Sequence, residues 1–150
     1  MHIRKARTED IETIVRLSNA GGPDGKPRER LPETLPPGYL SAFRRIEADL
    51  QNALMVVEIE GQVVGTFHLT YIYYLAGKGS AHLQVEAVHI AEAHRNRGLG
   101  TQMMNWIIAE GRKQNCRRIQ LTTNKIRTDS HRFYLRLGFV ASHEGMKYAL

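Results

Sequence analysis

The stretch Arg95-Asn96-Arg97-Gly98-Leu99-Gly100-Thr101 stands where a β-rich run ending at Ile90 gives way to a helical stripe. Glycines at 98 and 100 permit a tight turn and let a ligand come close to the backbone. The N–H groups of a first helical turn have no partner inside the helix and lie at the positive end of its dipole. The junction is therefore an anion site by geometry alone. Arg95 and Arg97 add charge beside it, and Thr101 adds a hydroxyl. Two familiar phosphate motifs do not fit. The dinucleotide fingerprint G-x-G-x-x-G fails at Met103, and no acidic residue near position 120 awaits a ribose hydroxyl. The nucleotide P-loop fails because Gly25-Lys26 is followed by Pro27. What stands here is Arg-x-x-Gly-x-Gly.

Working outward, the pattern before this junction is strand-rich. Met1 to Lys5 reads as a short strand with Ile3 inward. Thr8 is a good N-cap, and acidic Glu9 and Asp10 suit the first turn of a helix carrying Ile11, Ile14, Val15 and Leu17. Gly21-Gly22 stops it. The segment from Gly21 to Gly38 holds all five prolines and four of the thirteen glycines, which predicts a long functional or mobile loop. A second helix is predicted from Tyr39 to Gln51, with Leu40, Phe43, Ile46 and Leu50 inward. Ala53 to Ile59 and Gln62 to Tyr74 read as strands joined at Glu60-Gly61, a hairpin signal. Ala76 to Ser80 is a turn, and His82 to Ile90 a further strand.

After the junction, Leu99, Met103, Trp106 and Ile107 form a helical stripe ending near Cys116. Arg118 to Thr123 is a strand with Ile119 and Leu121 inward. Asp129 to Leu137 is a helix stopped by Gly138, and Phe139 to Ser142 and Met146 to Leu150 read as two closing strands. The order βααβββαβαββ predicts one mixed α/β domain over residues 1–150, a layer of sheet covered by helices.

Bulk properties narrow the function classes. No uncharged apolar run of about 18 residues is present, which argues against a membrane span. Met1-His2-Ile3-Arg4-Lys5 leads into acidic residues and not into an apolar signal core, so a cytoplasmic protein is expected. The lone Cys116 cannot make an internal disulfide and reads as a small buried hydrophobe. The net charge of +6 invites a nucleic-acid reading. The basic residues are scattered, however, with no run of five like charges. Tyr71, Tyr73 and Tyr74 have no Lys or Arg between them, so the interleaving expected of a nucleic-acid platform is missing. Those tyrosines suit a substrate side or a dimer surface. None of the seven histidines stands at a metal-ligand spacing with Asp, Glu or Cys, and no metal is expected.

The cradle, together with Phe133-Tyr134-Leu135-Arg136-Leu137-Gly138-Phe139 further along, resembles the GNAT acetyltransferase superfamily. Arg95 to Gly100 matches that family's Gln/Arg-x-x-Gly-x-Gly/Ala signature without a gap, and the second string matches its Phe-Tyr…Gly-Phe pattern. The element order fits the family along essentially the whole chain. The resemblance implies a mostly antiparallel central sheet of about seven strands flanked by about four helices. It implies an acetyl-CoA-dependent N-acetyltransferase acting on a primary amine of a small molecule or a protein. Backbone amides of Asn96, Gly98, Gly100 and Thr101 then hold the pyrophosphate, with Arg95, Arg97 and Leu99 in the same cradle. Val88, His89 and Ile90 pair with the pantetheine arm as a neighbouring strand would. Many members carry Asn seven residues before the tyrosine and Ala four before it; this chain has Arg127 and Ser130. Asn124, or Arg127 meeting a phosphate, stands in for that contact. Homodimers are common in similar proteins, and a homodimer is left open.

The chemistry sets further demands. A lysine-type amine with a pKa of about 10.4 is neutral about once in 2,500 molecules at pH 7, a handicap of about 4.6 kcal/mol. A base, an oxyanion donor and an acid for the departing thiolate offset it. Tyr134 is the expected acid and a backbone N–H near Val88 or His89 the oxyanion donor. Glu86 is the leading base, on the strand face of Gln84 and Val88 by two-residue alternation, with a raised pKa expected; a water chain is the alternative. His89, on the opposite alternation, and His131, in a first helical turn, are weaker candidates. A catalytically silent acyl-CoA-binding sensor is the alternative function, against which the retained Tyr134 speaks.

Overall fold

The computed structural model describes residues 1–22 and 24–150; Pro23, one of the prolines of the 21–38 loop, lies outside the described residues. Five strands, β1 (His2–Lys5), β2 (Asn52–Ile59), β3 (Gln62–Tyr73), β4 (Ala81–Ile90) and β5 (Cys116–Leu121), hydrogen-bond in that order into one sheet. The first three pairings are antiparallel and β4–β5 is parallel. The hairpin at Glu60-Gly61 is built as the dipeptide suggests. Both residues take positive φ, 50° and 78°, as a two-residue turn that follows the strand twist requires.

Helices cover both faces. α1 (Ile11–Ala20) and α2 (Pro37–Ala48) pack against β2, β3 and β4. There Ile14 and Phe43 close over Val56 and Ala6. α4 (Leu99–Lys113) lies against β4 and β5. It buries Leu99, Met103, Met104 and Ile107 with Phe67, Leu69, Leu83 and Val85. Each such side chain contributes about 1.5–3 kcal/mol, so the helix that follows the cradle is firmly seated. α5 (Thr128–Arg136) adds Phe133 and Tyr134 to this larger core. α3 (Ala76–Gly79) is a single turn whose Gly77 and Lys78 are left-handed. Among the described residues no helix is long and apolar enough to cross a membrane.

Several expectations are corrected. Thr8 does not cap α1. It lies in a 3-10 turn over Thr8–Asp10, and Asp10 fixes the entry by accepting the Arg7 N–H at 2.7 Å and the Arg4 guanidinium at 2.6 Å. The Arg4 guanidinium holds the Asp10 carboxyl below its usual range. α2 starts earlier than Tyr39, because Pro37 is preorganised for the first helical position. It ends at Ala48, which leaves Leu50 outside it and fully exposed. Residues 139–150 form no strand, so among the described residues the sheet has five strands and not about seven. Val140, Met146, Tyr148 and Leu150 find nothing to bury them, and short apolar runs without burial do not offset the entropy of ordering a strand. Cys116 is half-buried against the larger core, where burial and the nearby Glu110 carboxylate push its thiol up.

Candidate active site

The site is shaped by an irregularity in β4. His68 pairs with Glu86 and Thr66 with His89, so Phe67 alone opposes both Ala87 and Val88. This is a β-bulge, and Ala87 takes the left-handed φ of 49° that usually calls for glycine. A left-handed alanine costs about 1–2 kcal/mol, which the two flanking pairings must hold in place. One extra residue reverses the alternation beyond it. Val88 therefore leaves the face of Glu86 and packs into the larger core, while His89 joins Glu86 and Gln84. Strict alternation had placed these two the other way round.

The bulge coincides with a parting of strands. The last β4–β5 pair is Val85–Leu121, yet β4 runs on to Ile90. From Glu86 onward its outer edge has no strand beside it among the described residues, and Val88, His89 and Ile90 lie along that open edge.

The cradle closes the same end. Asn96 and Gly98 have φ of 59° and 77°, two left-handed positions in the turn into α4, and Gln102 donates the first helical bond, to Gly98 O at 3.1 Å. The amides of Gly98, Leu99, Gly100 and Thr101 thus precede the helix's own ladder. Leu99 contributes only backbone, since its side chain is buried. Arg95 folds back, its Nε donating to Ile90 O at 3.1 Å, and Arg97 is exposed. Gly100 serves packing: a Cβ there would sit 3.3 Å from the Phe133 ring. Its bareness brings α4 and α5 together as much as it admits a ligand.

Tyr134 is half-buried, with the Phe133 ring at 5.2 Å and the Phe139 ring at 5.7 Å. Burial pushes its phenol above the ordinary value of 10.0, and the Arg127 charge opposes this. The phenol is protonated at neutral pH.

On the α1 side of the sheet runs a lane of polar side chains. His68 Nε2 and Thr70 Oγ1 both lie 2.9 Å from Asn52 Oδ1, and Glu86, exposed, stands opposite His68. Burial lowers the His68 pKa, and the Glu86 carboxylate opposes that. At the end of the lane His89 packs edge-on against Gly21, where a Cβ would lie 2.3 Å from Nδ1. Burial and the charges of Arg28, Arg127 and Arg95 push its pKa down to about 4.

Two residues expected at the cofactor are engaged elsewhere. Arg127 donates to the Gly21 carbonyl at the end of α1. Asn124 Oδ1 accepts the Ile126 N–H at 3.1 Å, and its carbonyl accepts from Arg127 N and meets His131 Nε2, each at 3.0 Å. Asn124 and His131 thus build the turn into α5. Sequence reasoning missed Asn52, His68 and Thr70, and gave Gly21 only as the stop of the first helix. Phe67-His68-Leu69-Thr70-Tyr71 alternates apolar and polar, a signal that β3 has a polar face. Among the described residues no group of three His, Cys, Asp or Glu comes together to hold a metal ion.

A strand edge that parts from its neighbour, followed by a glycine-turned helix N-terminus, is the arrangement of the acyl-coenzyme A-handling class of α/β domains. The chain belongs to the Acetyltransferase (GNAT) family, whose model matches residues 14–139. Acetyl-CoA is the cosubstrate of that family. A solved structure of a transcriptional regulator from Bacillus halodurans C-125 is 39% identical, covers 99% of both chains and superposes with a TM-score of 0.91. An acetyltransferase from Trypanosoma brucei, 20% identical over 99% of each chain with a TM-score of 0.78, shares the fold. The aminoalkylphosphonate N-acetyltransferase of Salmonella typhimurium is 30% identical over 89 residues, 55% of this chain. That match spans about half of the relative's length, 53%.

Proposed function

We propose that this chain moves an acetyl group from acetyl-CoA to a primary amine of a small molecule or a protein by direct attack on the thioester. The observation that carries the reading is the junction of the open β4 edge with the glycine-turned helix start at Asn96–Thr101; the protonated Tyr134 packs into the same large core as Val88 and Leu99. Bound acetyl-CoA supplies an activated acyl group. The amides of Asn96, Gly98, Gly100 and Thr101 suit its diphosphate, and the edge Val88–Ile90 suits its amide-bearing arm. An N–H near Val88 or His89 serves as the oxyanion donor. Tyr134 holds a proton for the departing sulfur. Glu86, directly or through water, takes the proton that the acceptor must shed, and its exposure suits an acceptor arriving from solvent. The single Cys116 thiol needs no oxidising compartment, and a cytoplasmic setting goes with this reading.

The test is coenzyme A release over an amine library, with acetyl-CoA binding followed separately. Tyr134→Phe is expected to bind acetyl-CoA normally and to turn over about 10²-fold more slowly. Unchanged turnover on an acetylatable amine would remove Tyr134 from the acid role. A silent acyl-CoA sensor is the second reading, favoured by the name of the 39%-identical Bacillus protein. It predicts acetyl-CoA binding with no release on any amine.

A further inference from the structure

Three arginines from three different segments converge on the end of the polar lane without a counter-charge. Arg28, from the 21–38 loop, donates from Nε to Ser18 O at 3.2 Å and from Nη2 to Gly21 O at 3.4 Å. Arg127, from the loop before α5, donates to the same Gly21 carbonyl. Arg95 reaches back to Ile90 O, the next residue after His89. Among the described residues none of the three is paired with a carboxylate. The nearby Glu29 is engaged with the Tyr39 hydroxyl at 3.1 Å. A guanidinium has five donors, so Arg28 and Arg127 each keep most of theirs after meeting α1's last carbonyls. Planar forks of this kind match carboxylate and phosphonate oxygens.

The lane is polarised end to end. Glu86, the negative group, lies mid-lane opposite His68, while the arginines around the uncharged His89 form the positive end. The Arg95 end adjoins the cofactor cradle. Arg28 comes from the 21–38 loop and is held by the carbonyls at the end of α1.

We infer that the acceptor is a short amine bearing an acid group, its ammonium drawn to Glu86 and its anion held by Arg28, with Arg127 beside it. This rests on the acetyl-transfer reading above. The reaction then balances simply. The amine, having lost a proton to Glu86 or its water, forms a C–N bond to the acetyl carbon. The C–S bond breaks, the sulfur takes the Tyr134 proton, the second proton of the new C–N nitrogen passes to the Tyr134 phenolate, and an N-acetyl acid and coenzyme A thiol leave. Arg28 is a specificity residue in this scheme and touches none of the reacting atoms.

The experiment compares β-alanine and 2-aminoethylphosphonate with ethanolamine and propylamine at saturating acetyl-CoA, in the wild type and in Arg28→Gln and Arg28→Lys. At least one acid-bearing amine is expected to exceed the uncharged ones at least tenfold in kcat/KM, and the two acids separate carboxylate from phosphonate recognition. Arg28→Gln is expected to shrink that preference to threefold or less through the acceptor KM, and Arg28→Lys to restore part of it. The inference is overturned if uncharged amines serve as well. It is also overturned if Arg28→Gln moves the acetyl-CoA KM in place of the acceptor KM, or if acetyl-CoA binds and no acid-bearing amine is turned over. If acetyl-CoA itself fails to bind, the reading beneath the inference is what fails.

Discussion

His89 carries a stability cost that appears only in acid. Its imidazole is pushed to about 4 against an unfolded value of 6.5, first by burial and then by Arg28, Arg127 and Arg95. Because the folded pKa is the lower one, the unfolded chain takes the proton first as pH falls. The contribution is constant above about pH 6.5, and stability drains away between about 6.5 and 4. A shift of this size corresponds to about 3 kcal/mol at most, and the partial exposure of the ring reduces it to about 1.5–2 kcal/mol. The assay is urea unfolding of the wild type and His89→Gln at pH 7.0 and 4.5. The wild type should lose about 1.5–2 kcal/mol more than the variant over that interval, the other acid-sensitive groups being common to both. Equal losses, or a His89 imidazole resonance that titrates above pH 6 in the folded protein, would refute the placement of this ring among the three arginines.

Gly98→Ala puts a Cβ on a residue with φ of 77°. It should cost about 1–2 kcal/mol in thermal unfolding and raise the acetyl-CoA KM at least several-fold, since the same turn aims the cradle amides. Gly21→Ala places a methyl 2.3 Å from His89 Nδ1 and must displace the ring or the end of α1. A loss of about 1–3 kcal/mol is expected, together with a lower kcat/KM, whereas an unchanged melting temperature would show that the contact is slack. Glu86→Gln should flatten the acidic limb of the pH–rate profile; a limb that persists unchanged assigns the proton to a water chain.

The parts legible in the sequence were those that depend on local chemistry. Gly98 and the arginines around it announce a helix-terminal cradle because an αL turn there needs glycine. Glu60-Gly61 announces a hairpin for the same reason. The stripe Leu99, Met103 and Ile107 announces the buried face of α4. What the sequence hid depends on partners far away. Whether residues 139–150 form strands is decided by a face to bury them, which short apolar runs cannot supply for themselves. That Asp10, and not Thr8, organises the start of α1 depends on Arg4 arriving from β1. The roles of Asn124 and Arg127 were hidden likewise, since Gly21, which Arg127 meets, lies 106 positions earlier in the chain.

The bulge at Ala87 joins these threads into one physical argument. Without it, period-two alternation along β4 would send His89 into the α4 core and Val88 out toward α1. The polar lane would then stop at Glu86, and Gly21, Arg28 and Arg127 would close over an apolar side chain. With one extra residue, the lane continues through His89 to the arginines, and the strand edge beyond Val85 swings free of β5 at the same point. A single left-handed residue thus coincides with two features that the proposed acetyl transfer uses together. Beside it the β4 edge is free of β5, and beyond it the polar row continues through His89 on the α1 side. The strain at Ala87 is held by the Thr66–His89 and His68–Glu86 pairings on either side. The chain therefore spends stability where the proposed chemistry requires an irregular strand, and the core packed beneath α4 is what allows it.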